Sequence, residues 1–257
     1  MLEIVDLAFS YPTNLIIDGV NLKINKGEFV GLIGPNGCGK STLLKNVYRT
    51  LKPKNGDIYF EDKNIQNLSY KETAKKISVI SQNETIVFDF TVEEIVAMGR
   101  HPYKKLFDID TKEEHDFIIK CLDYLGMKDK AKENYAYLSG GEQQRVLLAK
   151  AIAQDTNFMI LDEPTNHLDI RYQMQIFDLL KNMNMTVFTA IHDLNLATLY
   201  CDRLILMDNG KIIKDGSVEE VMTEENIKEI YKVDVKVYKQ ETTKKLYVNY
   251  IPNYLNR

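Results

Sequence analysis

The sequence predicts an α/β protein in which strand patterns near the two ends of the chain enclose a long helical stretch. Three observations carry that expectation. Glu28 to Ile33 is a short, nearly all-apolar strand that runs into the glycine-rich stretch Gly34–Gly39 and then a helix from Lys40 to Tyr48, the opening of an α/β unit. From Thr91 to about Ala153 helical signals dominate. Strand patterns then resume at Phe158–Leu161, Thr186–Ile191 and Arg203–Met207, so the core is assembled from segments distant in sequence.

Taken in order, Leu2–Leu7 and Leu15–Ile24 read as β segments separated by a turn at Pro12. The strand from Glu28 has no polar face and is expected to be buried on both sides. Pro53–Gly56 is a turn, and Asp57–Phe60 and Ile77–Ile80 are strands. In the helical stretch, Thr91 with Glu94, Thr111 with Glu114 and Ser139 with Glu142 each spell a capping box. The spacing of Phe117, Ile118, Cys121, Leu122 and Leu125 marks a core-facing helix. Asn209-Gly210 joins the Arg203 strand to Lys211–Ile213 as a hairpin. Beyond Gly216, a helix from Val218 to Tyr231 and two alternating segments, Val233–Val237 and Leu246–Tyr250, form a small appendix.

Composition narrows the function classes. With 257 residues, the chain has room for one large domain or two small ones at about 100–200 residues each. Lys and Arg number 33 against 37 Asp and Glu, a net charge of −4, which argues against a nucleic-acid partner. Apolar runs such as Phe29–Ile33 stop far short of the ~18 residues that a membrane-spanning helix needs. Glu3 and Asp6 precede the first lysine, Lys23, the wrong charge order for a secretory signal, so the cytoplasm is expected. Three widely spaced cysteines, Cys38, Cys121 and Cys201, suit a reducing compartment, and the four histidines form no metal-ligand pattern with them.

The chemistry lies in three motifs. Gly34-Pro35-Asn36-Gly37-Cys38-Gly39-Lys40-Ser41-Thr42 has the spacing of a phosphate-binding loop: backbone N–H groups and the positive end of the next helix cradle phosphates, Lys40 reaches the terminal phosphates, and Ser41 can hold Mg²⁺. Phe158-Met159-Ile160-Leu161-Asp162-Glu163 is an apolar strand ending in two carboxylates, where an open α/β sheet places its ligand site. Successive strand residues face opposite ways. Asp162 therefore suits a direct or water-mediated Mg²⁺ contact, and Glu163 suits a general base that orients the attacking water. Leu138-Ser139-Gly140-Gly141-Glu142-Gln143-Gln144-Arg145 places a capping serine before a glycine-bared helix start, a second anion site far from the first.

Together these motifs resemble the ATP-binding cassette (ABC) family, with the Leu138–Arg145 signature lying between the phosphate loop and the acidic strand end, and with Leu2 to about Gly216 in register. The resemblance implies a P-loop, RecA-like core with an antiparallel β subdomain, a helical subdomain at about 83–151, and an extension over 217–257 beyond the 1–216 domain. It implies ATP hydrolysis with Mg²⁺ between two copies packed head to tail, Ser139, Gly140, Gly141 and Glu142 of one copy capping the nucleotide held by the other. Tyr11 matches the aromatic that stacks on adenine, Gln82 the glutamine that senses Mg²⁺ and water, Asp169 the loop that communicates between sites, and His192 the γ-phosphate switch. Gln144 stands where arginine is frequent.

Within that family, Val96–Tyr103, Thr165–Gln173 and His192–Ala197 resemble importers of ferric siderophores, haem and cobalamin. That implies a separate membrane permease docking beside Gln82 and the Met98–Tyr103 stretch, a separate extracytoplasmic substrate-binding protein, and a peripheral place on the cytoplasmic face of the membrane. The competing expectation is a soluble cassette ATPase in cofactor assembly or another non-transport process.

Overall fold

The computed structural model describes residues 1–81, 89–105, 108, 111–164 and 169–252. In chain order the elements are β1 (Leu2–Tyr11), β2 (Asn14–Ile24), β3 (Phe29–Ile33), α1 (Lys40–Val47), β4 (Asn55–Phe60), β5 (Lys63–Asn64), α2 (Tyr70–Ala74), β6 (Ile77–Ile80), α3 (Val92–Ala97), α4 (Lys112–Tyr124), α5 (Gly140–Ala153), β7 (Phe158–Asp162), α6 (Ile170–Asn182), β8 (Thr186–Ala190), α7 (Leu194–Tyr200), β9 (Arg203–Asp208), β10 (Lys211–Ser217), α8 (Val218–Val221), α9 (Glu224–Tyr231), β11 (Asp234–Lys239) and β12 (Leu246–Ile251). They fall into two compact units, Met1–Asn67 with Thr186–Arg257, and Leu68–Met185. No described helix is long and apolar enough to cross a membrane.

In the first unit, β1 pairs antiparallel with β2 and β4, and β5 extends β4. β3 lies between β8 and β9, parallel to both, and β10 runs antiparallel to β9. Every residue of β3 and of β8 is buried, as expected for a central parallel strand covered on both faces. β1 continues past Leu7 to Tyr11 through an irregularity in register. Asp6 sits there at φ 46°, its N–H and carboxylate bonded to the Asn21 side chain at 2.9 and 2.8 Å. That bulge breaks the in–out alternation, so the sequence pattern ends early.

The predicted single helix over 218–231 is two. Met222 leaves helical geometry at ψ 67°, the Thr223 hydroxyl accepts the Asn226 N–H at 3.2 Å, and Asn226 Nδ2 donates back to the Val221 carbonyl at 2.9 Å. Local side-chain bonding therefore outcompetes helix continuation. The resulting α9 is tied to the hairpin of β11 and β12 by Glu224, which accepts the Val237 N–H and pairs with Lys236, and by a 2.8 Å Lys228–Asp234 pair.

In the second unit, β6 and β7 pair in parallel, with Ile80 beside Leu161. All three expected capping boxes form, on α3, α4 and α5. A fourth, Ser69 with Glu72, starts the five-residue α2, which is too short to give a periodic signal. Ile118, Cys121 and Leu122 of α4 are buried, with Leu125 just beyond it, as their spacing predicts.

The β9–β10 turn does more than reverse the chain. Asn209 and Gly210 have φ of 44° and 79°, the positive pair that a tight hairpin turn demands. Gly210 then donates its N–H to the Cys38 carbonyl at 2.9 Å, and its own carbonyl accepts the Asp18 N–H at 3.1 Å. A Cβ on Gly210 would stand 2.3 Å from the Ile16 carbonyl oxygen. Gly210→Ala is therefore expected to destabilise the protein by about 1–3 kcal/mol. Urea unfolding at constant m-value checks this, and an unchanged midpoint would contradict it.

Candidate active site

The parallel pairing of β3 with β8 brings two predicted segments to one end of the first unit's sheet. Leu32 is in register with Ala190, and Ile191 donates its N–H to the Leu32 carbonyl at 3.1 Å. The glycine loop leaves β3 and His192 follows β8 at that same end, with His192 exposed. This is the carboxyl end of the strands, where α/β sheets bind ligands.

The loop is held from several sides. Gly34 has φ 150°, and a Cβ on it would lie 2.2 Å from the Met207 carbonyl oxygen and 2.8 Å from Cys38 Sγ, so no other residue fits. Lys40, 4% exposed, donates from Nζ to the carbonyls of Gly34 at 2.7 Å and Pro35 at 3.0 Å, drawn back over the loop from the first turn of α1. Asn36 and Gly37 stand exposed at the crest, and Ser41 and Thr42 are half-buried. Gly39 precedes α1 in left-handed geometry and no side chain caps that helix, whereas a Ser, Thr or Asp side chain caps each of the other described α-helices. An uncapped start of this kind presents N–H groups to an anion. Cys38 is buried, and burial pushes its thiol pKa up, partly offset by Lys40, so its sulfur packs rather than reacts.

Tyr11 ends β1 with its ring 46% exposed and set edge-on to Phe9, centroids 5.1 Å apart. An exposed ring fixed at its base is suited to stacking.

In the second unit, Asp162 closes β7 at 1% exposure, and the next residue, Glu163, is half-buried. Glu163 has φ 56°, left-handed for a residue that precedes a proline, a backbone cost of about 1–3 kcal/mol. Asp169 caps α6, its carboxylate accepting the Tyr172 N–H at 3.1 Å. Gln82 and residues 165–168 lie outside the described residues.

The start of α5 is closed by its own box. The Ser139 hydroxyl and N–H donate to Glu142 Oε2 at 2.8 and 2.9 Å, and Lys130 Nζ stands 2.7 Å from Oε1. Lys130 first, then Ser139, hold the Glu142 carboxyl down to about 2. A depressed carboxyl contributes stability that is complete above its ordinary titration range and is lost progressively as pH falls from that range to about 2. Gly140 is exposed, with open space where a Cβ would stand.

Two features escape motif reading. Gln144 donates from Nε2 to the Pro164 carbonyl at 3.1 Å, tying α5 to the turn that carries Glu163. The Met98–Tyr103 stretch is largely spent on packing within its own unit. Arg100 donates to the Ala153 carbonyl at 2.9 Å and stacks 4.4 Å over the Tyr103 ring, while the Tyr103 hydroxyl donates to the Asp155 carbonyl at 3.3 Å. Side chains spaced this way disclose neither contact in sequence, because each partner lies on a distant element.

Residues 17–166 match the ABC transporter family. Over 229 residues the chain is 38% identical to the ferric enterobactin transport ATP-binding protein FepC of Escherichia coli strain K12, covering 88% of this chain and 84% of that protein. It is 36% identical over 243 residues to the iron(3+)-hydroxamate import ATP-binding protein FhuC of Bacillus subtilis strain 168, covering 93% and 90%. Among solved structures it resembles a chain from an ABC transporter classed as metal-chelate type, in an inward-facing conformation, with a TM-score of 0.84 at 27% identity over 99% of this chain and 98% of that one. With more than half of the chain matched to the family and relatives aligned along nearly its full length, this protein belongs to the ABC transporter family as one of its ATP-binding cassettes.

Proposed function

We propose that this chain is the ATP-hydrolysing subunit of an importer for metal chelates, with ferric siderophores foremost and haem and cobalamin in the same class. The observation that carries this reading is the full-length similarity to cassettes of ferric enterobactin and iron(3+)-hydroxamate transport. The permease and an extracytoplasmic substrate-binding protein are separate chains, and the cassette sits peripherally on the cytoplasmic face of the membrane. ATP hydrolysis in a pair of these chains drives the permease, and the cassette itself never touches the cargo.

Within each site, the uncapped start of α1 and the loop N–H groups receive the phosphates, and Lys40 exchanges its bonds to Gly34 and Pro35 for charge-assisted bonds to phosphate oxygens. Tyr11 stacks on the adenine. The hydroxyl of Ser41, the carboxylate of Asp162 and the amide oxygen of Gln82 would hold Mg²⁺, since oxygen donors are the chemistry that ion takes. A carboxylate as buried as Asp162 is stable where its charge is met by donors or a cation. When bound, Mg²⁺ would supply positive charge to offset that of the phosphate oxygens.

Glu163 orients the attacking water and takes its proton, from a left-handed backbone next to the Pro164 carbonyl that Gln144 holds. His192, at the loop's end of the sheet, donates to the γ-phosphate. Ser139, Gly140, Gly141 and Glu142 of a second copy close the site from the other side, and Asp169 links the two sites.

Glu163→Gln keeps the shape and removes the base. Turnover is expected to fall by about 10²–10⁴-fold while ATP still binds. Lys40→Ala is expected to weaken ATP binding itself by about 10–100-fold in a fluorescence titration, since a charged contact is lost from the ground state. Near-wild-type turnover in the first variant would reassign the base, and unchanged affinity in the second would remove the phosphate loop from the site.

For the cargo, deletion of the gene followed by uptake of radiolabelled ferric siderophore, haem and cobalamin is expected to show loss of at least one. Normal uptake of all three alongside loss of a sugar or amino acid would overturn the cargo class and leave the ATPase chemistry intact.

A further inference from the structure

The second unit carries a cleft of about 450 Å³ between the end of α4, the first half of α5 and the first turns of α6. None of the residues that line it is assigned to the nucleotide above. Its charged lining is Arg145, Arg171 and Asp178. An arginine keeps its charge in a folded chain, and its five N–H groups call for carboxylate or carbonyl oxygens in the plane of the guanidinium.

Here that demand is left mostly unmet. Arg145 donates from Nη1 to the Leu125 carbonyl at 3.1 Å and lies 4.2 Å over the Tyr172 ring, while its Nε is sealed from solvent without a hydrogen-bond partner. Arg171 is exposed, its guanidinium carbon 5.8 Å from the centroid of the same ring. Among the described residues, neither arginine pairs with a carboxylate. Because both sit at one ring, their guanidinium carbons lie within about 10 Å of each other, close enough for both charges to act on one small ion. Asp178 comes two turns after Arg171, about 10 Å along α6, and pairs with neither arginine. The arginine end of the cleft is therefore net positive, and Gln175, one turn past Arg171 on the same helix face, adds an amide to it.

Guanidinium forks take the oxygens of phosphates and carboxylates in pairs, and clefts of about 300–1,000 Å³ are the size that encloses small molecules. We propose that this cleft binds a compact oxyanion, a phosphate or a dicarboxylate, between Arg145 and Arg171. The two arginines belong to different helices. A bound anion ties α5, which begins at the Ser139 cap, to the first turn of α6, which Asp169 caps by accepting the Tyr172 N–H. Occupancy adds a charge-assisted link inside the folded unit and stabilises it by mass action.

The test uses the full chain with inorganic phosphate, succinate or sodium chloride at matched ionic strength, so that general screening is common to every arm. Modification of Arg171 by phenylglyoxal, followed by peptide mass, reads the site itself, and the melting midpoint reads occupancy. At about ten times its Kd, phosphate or succinate is expected to slow modification about 5–10-fold relative to chloride, equally in the unmodified sequence and in Lys40→Ala, and to raise the melting midpoint by about 3–6 °C. Protection by phosphate alone supports a phosphate ligand, and protection by succinate alone a dicarboxylate. Arg171 is exposed and unpaired, so Arg171→Ala is expected to fold normally and to lose most of the melting shift. Arg171→Lys, which keeps the charge without the fork, is expected to retain part of it. Phosphate protection that vanishes in Lys40→Ala would put the ion on the phosphate loop and overturn the proposal. Equal protection by chloride, or a melting shift undiminished in Arg171→Ala, would overturn it too. Nucleotide affinity in Lys40→Ala tests the phosphate loop separately and stands whichever way the cleft is decided.

Discussion

The first N–H groups of an α-helix must be met from outside the helix. Every described α-helix but α1 meets part of this demand with a side chain at its N-cap. At α1 the cap position is Gly39, which has no side chain to offer, so the helix start serves an anion only if the preceding loop cannot collapse onto it. Contacts from distant parts of the same unit keep the loop in place. The Gly210 N–H holds the Cys38 carbonyl, the Met207 carbonyl presses on Gly34, and Lys40 bonds back to the loop's own carbonyls. The antiparallel hairpin of β9 and β10 is thereby part of the phosphate loop's support as well as an edge of the sheet.

The second anion-type helix start, at α5, is built on the opposite plan. Ser139 and Glu142 satisfy one another, Lys130 adds its charge, and the exposed face left over is glycine backbone. A self-satisfied cap is rigid before any partner arrives, which suits a surface meant to close over a phosphate bound elsewhere. The same helix reaches Pro164 through Gln144, next to the left-handed Glu163. The signature helix and the turn that carries the proposed base are consequently tied within one unit by a side-chain bond, through the residue that departs from the commoner arginine.

The stretch from Met98 to Tyr103 shows how resemblance and physics divide a segment. It looks like a subfamily mark that reports on the permease, yet Arg100 and Tyr103 are committed to the end of α5 and the residues just after it. His101 stays exposed in the same stretch and is open to a partner. Such a segment therefore serves internal packing in this chain.

Much of the candidate site was legible in the sequence because its determinants are local. A glycine spacing, a capping serine three residues before a glutamate, and an apolar strand ending in carboxylates each specify their geometry within a few residues. The three capping boxes and the Asn209-Gly210 turn form where the sequence puts them for the same reason. The bulge at Asp6 and the break at Met222 were not legible, since each depends on a side-chain bond that competes with a regular pattern. Nor could the sequence show that Gly210 holds the loop after β3, that Gln144 reaches Pro164, or that Asn195 joins the extension to the segment after His192. Local spacing determined which residues are proposed to carry phosphate chemistry. Only the tertiary structure decided what holds them, because those supports are bonds between backbone groups and side chains far apart in the chain, and no periodicity records them.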